Sequence, residues 1–351
     1  MGYQARSVTT QVETLSDFQG FIGTSPAITS IYQMIKNAAS SSATVFITGE
    51  SGTGKELCAE ALHTLSTRSQ KPFIALNCAA LQRDILESEL FGHVKGAYTG
   101  AYSDRKGAVL LADGGTLFLD EICEMEVSLQ SKLLRFLQTR QVQRLGDDML
   151  RSVDIRIICA TNRDPVAEVK SGRFREDLFY RLHVVPMHLP PLRARRDDTV
   201  AIAMHFLTLY GAEDGKDYTG FSCEAERYLA AYNWPGNIRE LQNVIRNIVV
   251  MQSGGIIELE NLPYSIQQND CLLADRLNRN LSQMIKTSTS GIVIQPLEIV
   301  IRKTIEFAIA QFDGNIPRAA AALDVAPSTL YRKIQIWQND GKDDTDYQAI
   351  Q

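Results

Sequence analysis

The sequence predicts an α/β fold built on a parallel sheet, followed by a small all-α unit, and three observations carry that expectation. Residues 44–48, TVFIT, form a short β-branched and aromatic run that leads into GESGTGKE at 49–56, after which Cys58, Ala61, Leu62 and Leu65 recur at helical spacing. A second apolar run, TLFL at 116–119, ends in the adjacent carboxylates Asp120 and Glu121. Near the C-terminus, IPRAAAALDVAPSTLYRKI at 316–334 reads as two short helices around a tight turn.

The first segment places Gly49, Gly54 and Lys55 in the register GxxxxGK. Between a strand and a helix, such a loop turns successive backbone N–H groups inward. Gly49, Glu50, Ser51, Gly52, Thr53 and Gly54 are therefore expected to wrap the phosphates of ATP, with Lys55 as a point charge. The next position departs from the general pattern, because Glu56 stands where a Ser or Thr hydroxyl ordinarily binds magnesium. Glu56 either binds Mg2+ through water or starts the helix with a favourable charge at its positive end, the reading preferred here.

The run 116–121 presents its polar residues at the carboxyl edge of the sheet, beside the phosphate loop. Asp120 is expected to hold Mg2+, directly or through water, and Glu121 to act as general base on the attacking water. An acidic pair after a strand is ordinarily a helix cap with a solvated neighbour, but here a phosphate loop lies upstream in the same βαβ order. Thr161 and Asn162 end another apolar run, 155–160, and are expected at the same edge facing the γ-phosphate. Between these elements lies GAYTGA, comprising Gly96, Ala97, Tyr98, Thr99, Gly100 and Ala101. A glycine-bracketed loop with an aromatic tip has no part in nucleotide chemistry and must touch something else.

Composition bounds the remaining choices. At 351 residues and 44% hydrophobic, the chain has room for an α/β core, a helical lid and a small extra domain. The cysteines at 58, 78, 123, 159, 223 and 271 show no paired spacing and read as reduced core thiols, with neither a zinc site nor a disulfide framework. Residues 1–18 are polar and no apolar run approaches bilayer length, so a cytoplasmic location is expected, without membrane contact.

The net charge of −5 runs against the basic footprint of a nucleic-acid binder, so distribution has to carry that reading. Residues 263–296 lack sustained periodicity and contain KTSTSG, a linker signature. Residues 297–312 then read as a helix with Ile301, Ile305, Ala308 and Phe312 on one face, broken at Asp313, Gly314 and Asn315. Pro327 at a first helical position and the short turn before it suit a helix-turn-helix, although an ordinary helical hairpin has the same pattern. Ser328, Thr329, Tyr331, Arg332 and Lys333 would face the major groove or its phosphates.

Over about residues 20–262 the chain resembles the AAA+ ATPases of the bacterial enhancer-binding proteins, which activate transcription by sigma-54 RNA polymerase. The matching segments are GESGTGKE, LNCAAL at 76–81, ESELFGHVKGAYTGA at 87–101, DGGTLFLDE at 113–121, CATN at 159–162, GRFREDLFYRL at 172–182, LPPLRARRDD at 189–198 and WPGNIREL at 234–241. Residues 297–337 resemble the Fis-type domain that ends this family. Within it, the chain looks most like the quorum-sensing response-regulator branch of marine vibrios.

The resemblance implies a P-loop core with a parallel sheet and helical lid, and it assigns further roles. An acidic residue at position 56 is a family trait. Asn77 matches the asparagine that holds the catalytic glutamate, Thr161 and Asn162 the first sensor, and Arg239 the second sensor. Arg175 and Arg181 match arginine fingers that reach into a neighbouring subunit, implying assembly from dimer to hexameric ring. Residues 144–152 match an insertion lying near the GAYTGA loop. By the same resemblance, GAYTGA is expected to be the sigma-factor contact and the Fis-type end to bind double-stranded enhancer DNA.

The expected organisation is an N-terminal remnant or linker at 1–19, ATPase core at 20–190, lid at 191–263, linker at 264–296, DNA-binding domain at 297–338 and polar tail at 339–351. Many relatives carry a receiver domain ahead of the ATPase, whereas here about twenty residues precede the core. The chain is then either naturally without a receiver and controlled by a separate regulatory protein, or a fragment or divergent paralogue. The leading function is an ATP-driven remodeller of sigma-54 polymerase. Another AAA+ remodelling machine, or a DNA-binding regulator with a vestigial ATPase, are the alternatives.

Overall fold

The computed structural model describes residues 17–80, 83–98, 101–268, 297–312 and 314–340. They fall into two compact units, one running to residue 268 and the other starting at 297.

The first unit opens with a short antiparallel strand pair, Asp17–Phe18 and Phe21–Ile22, followed by helix α1 (Pro26–Ala39), whose proline at the first turn supplies a preset φ where no backbone donor is needed. Strand β1 (Val45–Thr48) leads through the phosphate loop into α2 (Lys55–Thr64), and β2 (Phe73–Asn77) precedes α3 (Arg83–Phe91). Then follow β3 (Thr116–Asp120), α4 (Val127–Thr139), β4 (Arg156–Thr161), α5 (Glu176–Leu182) and β5 (Val185–His188). The five strands form one parallel sheet in the order β5-β1-β4-β3-β2.

Alternate residues of a strand point to opposite faces, and the cores divide accordingly. Leu117, Leu119, Ile157 and Cys159 pack with Leu90, Leu133, Phe136 and Leu178 on one side. Phe118, Ile158, Ala160, Val45 and Ile47 pack with Ile28, Ile35, Cys58 and Leu62 on the other. The sheet is thus covered on both faces, as near-continuous apolar strands require. Register pairs Thr48 with Thr161 and Asn77 with Asp120, bringing the polar strand ends to one edge.

The lid consists of α6 (Arg196–Asp214), α7 (Cys223–Ala231) and α8 (Asn237–Met251), with a short parallel strand pair, Tyr218–Phe221 and Gly255–Ile257. Its core is built around Trp234, which is fully buried and donates from Nε1 to the Leu229 carbonyl at 2.8 Å. Truncating a buried aromatic of this kind costs about 3–5 kcal/mol. A short helix, α9 (Tyr264–Gln267), adds Ile266 to the same core, so the lid's packing continues past the boundary expected at 263.

The second unit contains α10 (Leu297–Gln311), α11 (Ile316–Ala322) and α12 (Pro327–Asp340). Asn315 caps α11, accepting from the Arg318 amide at 3.2 Å. Ala319 and Ala320 are fully buried, and their small side chains let α11 lie close to Ile305, Ala308 and Leu330. Phe312, expected on the packed face of α10, is exposed because the helix ends before it.

Cys58, Cys78, Cys123 and Cys159 are buried free thiols, and burial pushes the first two up to about 12. Cys223 corrects the expectation of core thiols throughout, since it opens α7 exposed; Cys271 lies outside the described residues. Among the described residues no helix is long and apolar enough to cross a membrane.

Candidate functional site

The loop between β1 and α2 is shaped by glycines at positive φ: Gly49 at 158°, Gly52 at 77° and Gly54 at 100°. A side chain on Gly52 would collide with the Gly236 carbonyl oxygen, so the close approach of the lid requires glycine there. Lys55 is buried, donates to the carbonyls of Gly49 (3.0 Å) and Glu50 (3.3 Å), and lies 3.6 Å from Glu121 Oε1. Thr53 is also buried, with its hydroxyl bonded to the Glu50 carbonyl at 2.8 Å. Glu56 is exposed in the first turn of α2, where its charge favours the helix start.

At the end of β3, Glu121 adopts a left-handed conformation at φ 52°, strained for a non-glycine residue. Its Oε2 accepts from the Asn162 backbone N–H at 2.9 Å. Asp120 accepts from the Glu121 amide at 3.0 Å and from Asn77 Nδ2 at 3.2 Å. Burial, followed by the neighbouring Glu121, raises the Asp120 pKa above its usual value. Asn77 therefore holds Asp120 here, whereas the resemblance pairs it with Glu121. Its own Oδ1 accepts from the Ala79 and Ala80 amides, a local turn at the strand end. Thr161 is buried, and the Asn162 contact to Glu121 runs through backbone while its side chain stays exposed.

The lid completes the site. Arg239 Nη1 donates to Ser51 Oγ at 3.0 Å, which places the expected second sensor on the phosphate loop. A cavity of about 430 Å³ opens there, lined by Ser51, Arg239, Asn243 and Val244 among others. Sequence reasoning missed Arg193, Arg195 and Asn237, although all three stand inside the segments LPPLRARRDD and WPGNIREL. Arg193 grips both oxygens of Glu50, at 2.7 Å on Oε2, and Asn237 Nδ2 reaches the same oxygen at 3.2 Å. Together they hold the Glu50 carboxyl down at about 2. The Glu50 carboxylate is thus committed to the lid, which leaves its backbone N–H in the phosphate loop.

The two expected fingers lie elsewhere on the core. Arg175 pairs with Asp177 through one guanidinium edge, Nε and Nη2 donating at 3.0 and 2.7 Å, and donates from Nη1 to Ser131 Oγ at 3.0 Å. Arg181 donates to the Leu137 carbonyl at 3.3 Å. None of these partners belongs to the phosphate loop or to the end of β3.

The GAYTGA loop follows α3. Gly96 has φ 85° with open space around it, and its amide donates to the Ala101 carbonyl at 2.9 Å. Tyr98 is 44% exposed, with its ring edge-on to His93 at 5.2 Å and its hydroxyl 3.5 Å from Ser88 Oγ. Thr99 and Gly100 lie outside the described residues. The insertion at 144–152 sits against this loop: the Val94 amide donates to the Leu145 carbonyl at 3.0 Å, and Gly146 adjoins Ala97.

In the second unit Ser328, Thr329, Tyr331 and Arg332 are exposed on the first turns of α12. Lys333 is half-buried, 3.8 Å from Glu298 and 5.9 Å from the centre of the Trp337 ring.

Comparison with known proteins agrees with this architecture. The Sigma-54 interaction domain family matches residues 21–188, the AAA+ ATPase lid domain 193–276, and the Fis family of bacterial regulatory proteins 297–336. Regulatory protein LuxO of Vibrio cholerae is 54% identical over 327 residues, covering 93% of this chain and 71% of the relative. Transcriptional regulatory protein ZraR of Salmonella typhimurium is 47% identical over 315 residues, covering 90% and 68%. Among solved structures, NtrX from Brucella abortus in complex with ATP is similar with a TM-score of 0.64 at 32% identity, covering 90% of this chain and 68% of that one. On these matches, which span the core, the lid and the helical end, the chain belongs to the sigma-54-dependent transcriptional activators.

Proposed function

We propose that this protein hydrolyses ATP to convert closed complexes of sigma-54 RNA polymerase into open ones, acting through its GAYTGA loop from upstream DNA sites. The observation that supports it most is the convergence of Lys55, Asp120, Glu121 and the Asn162 amide at one sheet edge, with an exposed aromatic loop apart from them. The ATP-bound and ADP-bound NtrX structures support nucleotide binding by this fold. We assign the ATPase core to 20–190, the lid to 191–263, a linker to 264–296 and DNA binding to 297–338.

In this reading the inward N–H groups of residues 50–54 and the Lys55 ammonium bind the β- and γ-phosphates. The γ-phosphorus is attacked by water as its bond to the bridging oxygen breaks, and the water's proton passes to Glu121. The Asn162 amide fixes the Glu121 carboxylate for that task. Magnesium, when bound, supplies positive charge to the phosphate oxygens. Asp120 is suited to hold it, because its carboxylate is half-buried beside Glu121, and a cation offsets both the lost hydration and the neighbouring negative charge. Arg175 and Arg181 act across the interface of a ring, where they stabilise charge developing on the neighbour's phosphates. Glu121→Gln is expected to lower turnover about 10²–10⁴-fold while ATP still binds, and steady-state hydrolysis beside equilibrium binding checks this. Turnover near wild type would remove Glu121 from the chemistry.

For the DNA-binding unit, the exposed start of α12 is the surface offered to the major groove. Few cations stand on it, so affinity comes from pairing two or more copies on one site. Arg332→Ala is expected to abolish a specific footprint and leave ATP hydrolysis unchanged. An unaltered footprint would move recognition to another face.

A further inference from the structure

The phosphate loop is held from outside by the lid, carbonyl by carbonyl. Asn237 Nδ2 donates to the Ser51 carbonyl at 3.0 Å, the Ile238 amide to the Gly52 carbonyl at 2.9 Å, and Arg195 Nη2 to the Thr53 carbonyl at 3.3 Å. Lys55 closes the remaining side by donating to Gly49 and Glu50. With these carbonyls engaged outward, the loop's N–H groups other than that of Thr53, which donates to the Glu50 carbonyl at 3.4 Å, are left for the ligand side. Its conformation and the position of the lid are therefore set together.

Asn237 is the hub of this arrangement. It is fully buried at φ 51°, and its Oδ1 accepts from the Leu192 amide at 2.8 Å while its Nδ2 serves both Ser51 and Glu50. It thus joins the segment that enters the lid, the first residue of α8 and the phosphate loop through one side chain. Arg193, in the same entering segment, adds the paired contact to Glu50. Asp198, at the start of α6, accepts from the Thr24 and Ser25 amides at 2.8 and 3.0 Å and so anchors the lid to the segment preceding α1.

We infer that Asn237, with Arg193 and Glu50, is a positioning latch that fastens the lid to the phosphate loop and so sets nucleotide affinity. The inference rests on the phosphate-loop reading above, and it gives the Glu50 carboxylate a mechanical task while the Glu50 backbone N–H stays with the phosphates. Losing the latch frees both the loop carbonyls and the lid, so the loop must be reordered when the nucleotide arrives. That ordering cost weakens binding.

Asn237→Asp is the sharpest probe. It keeps the acceptor for Leu192 but replaces the amide donor with a carboxylate oxygen facing Glu50 and the Ser51 carbonyl. Adding Glu50→Gln supplies a new amide donor, which restores the contact to the introduced carboxylate with its polarity reversed. Hydrogen exchange on the full, nucleotide-free chain is expected to show faster exchange in peptides covering 50–58 and 236–242 of the single variant. The strands β3 and β4 should stay at wild-type rates, and the double variant should regain part of the lost protection, since the side-chain carbonyl introduced by Glu50→Gln keeps one acceptor for Arg193 while the Ser51 carbonyl stays without its Asn237 donor.

ATP affinity should follow, falling about tenfold in the single variant and recovering in part in the double. Arg193→Gln, a surface change, is expected to shift both measurements in the same direction and carries the test should the buried variant not fold. Wild-type exchange at 50–58 in both Asn237→Asp and Arg193→Gln would overturn the latch. A wild-type chain that does not bind ATP would instead count against the proposed function, with the exchange result still deciding the latch.

Discussion

Replacing Arg175 with alanine is expected to lower ATP turnover on the order of 10³–10⁵-fold, the range an arginine finger supplies, while ATP binding stays near wild type. The side chain pairs with Asp177 and Ser131 in its own subunit and touches no residue of its own nucleotide site. An exposed ion pair is a weak tether in water, so the arginine can leave Asp177 for a neighbour's phosphate when a ring closes. Hydrolysis per subunit should accordingly rise with protein concentration for wild type and stay flat for the variant. Turnover near wild type in Arg175→Ala at saturating protein would count against action across an interface. Mixing the variant with a Glu121→Gln chain should restore some hydrolysis, because each supplies what the other lacks.

Tyr98→Ala is expected to abolish activation of sigma-54 polymerase while ATP is still hydrolysed. The aromatic tip offers contact area at low entropic cost, and its backbone is set by Gly96 in a conformation few other residues adopt. Among the described residues, the Tyr98 side chain rests on His93 and lies near Ser88, neither of which belongs to the nucleotide site. Tyr98→Phe should retain activation, since the ring contact with His93 is kept and only a 3.5 Å hydroxyl contact is lost. Single-round transcription beside steady-state hydrolysis separates the two effects. Full activation by the alanine variant would show that the loop is not the point of contact.

Much of this fold could be read from the chain because its strands are buried on both faces. Continuous apolar runs that end in polar residues locate β1, β3 and β4 and the edge where chemistry collects, and the loop glycines locate the turn into α2. The helical units followed from spacing and from proline and asparagine at helix starts. What escaped was contact between segments distant in sequence. Asn77 could be assigned to Glu121 by resemblance, but only register shows that it stands opposite Asp120 on the adjacent strand. Glu50 reads as a nucleotide ligand because it sits in the phosphate loop, and nothing local announces Arg193 or Asn237 as partners of its carboxylate. Phe312 carries the apolar period of α10 one step beyond the end of the helix, and periodicity alone does not mark where a helix stops.

Whether hydrolysis drives the change in polymerase is answered by one measurement. Open-complex formation by sigma-54 holoenzyme is followed on a promoter with an upstream site for this protein, with ATP or with a non-hydrolysable analogue. Heparin-resistant, single-stranded DNA should accumulate only with ATP, and the Glu121→Gln chain should leave the promoter closed. Equal opening with the analogue, or none with ATP, would contradict hydrolysis as the driver.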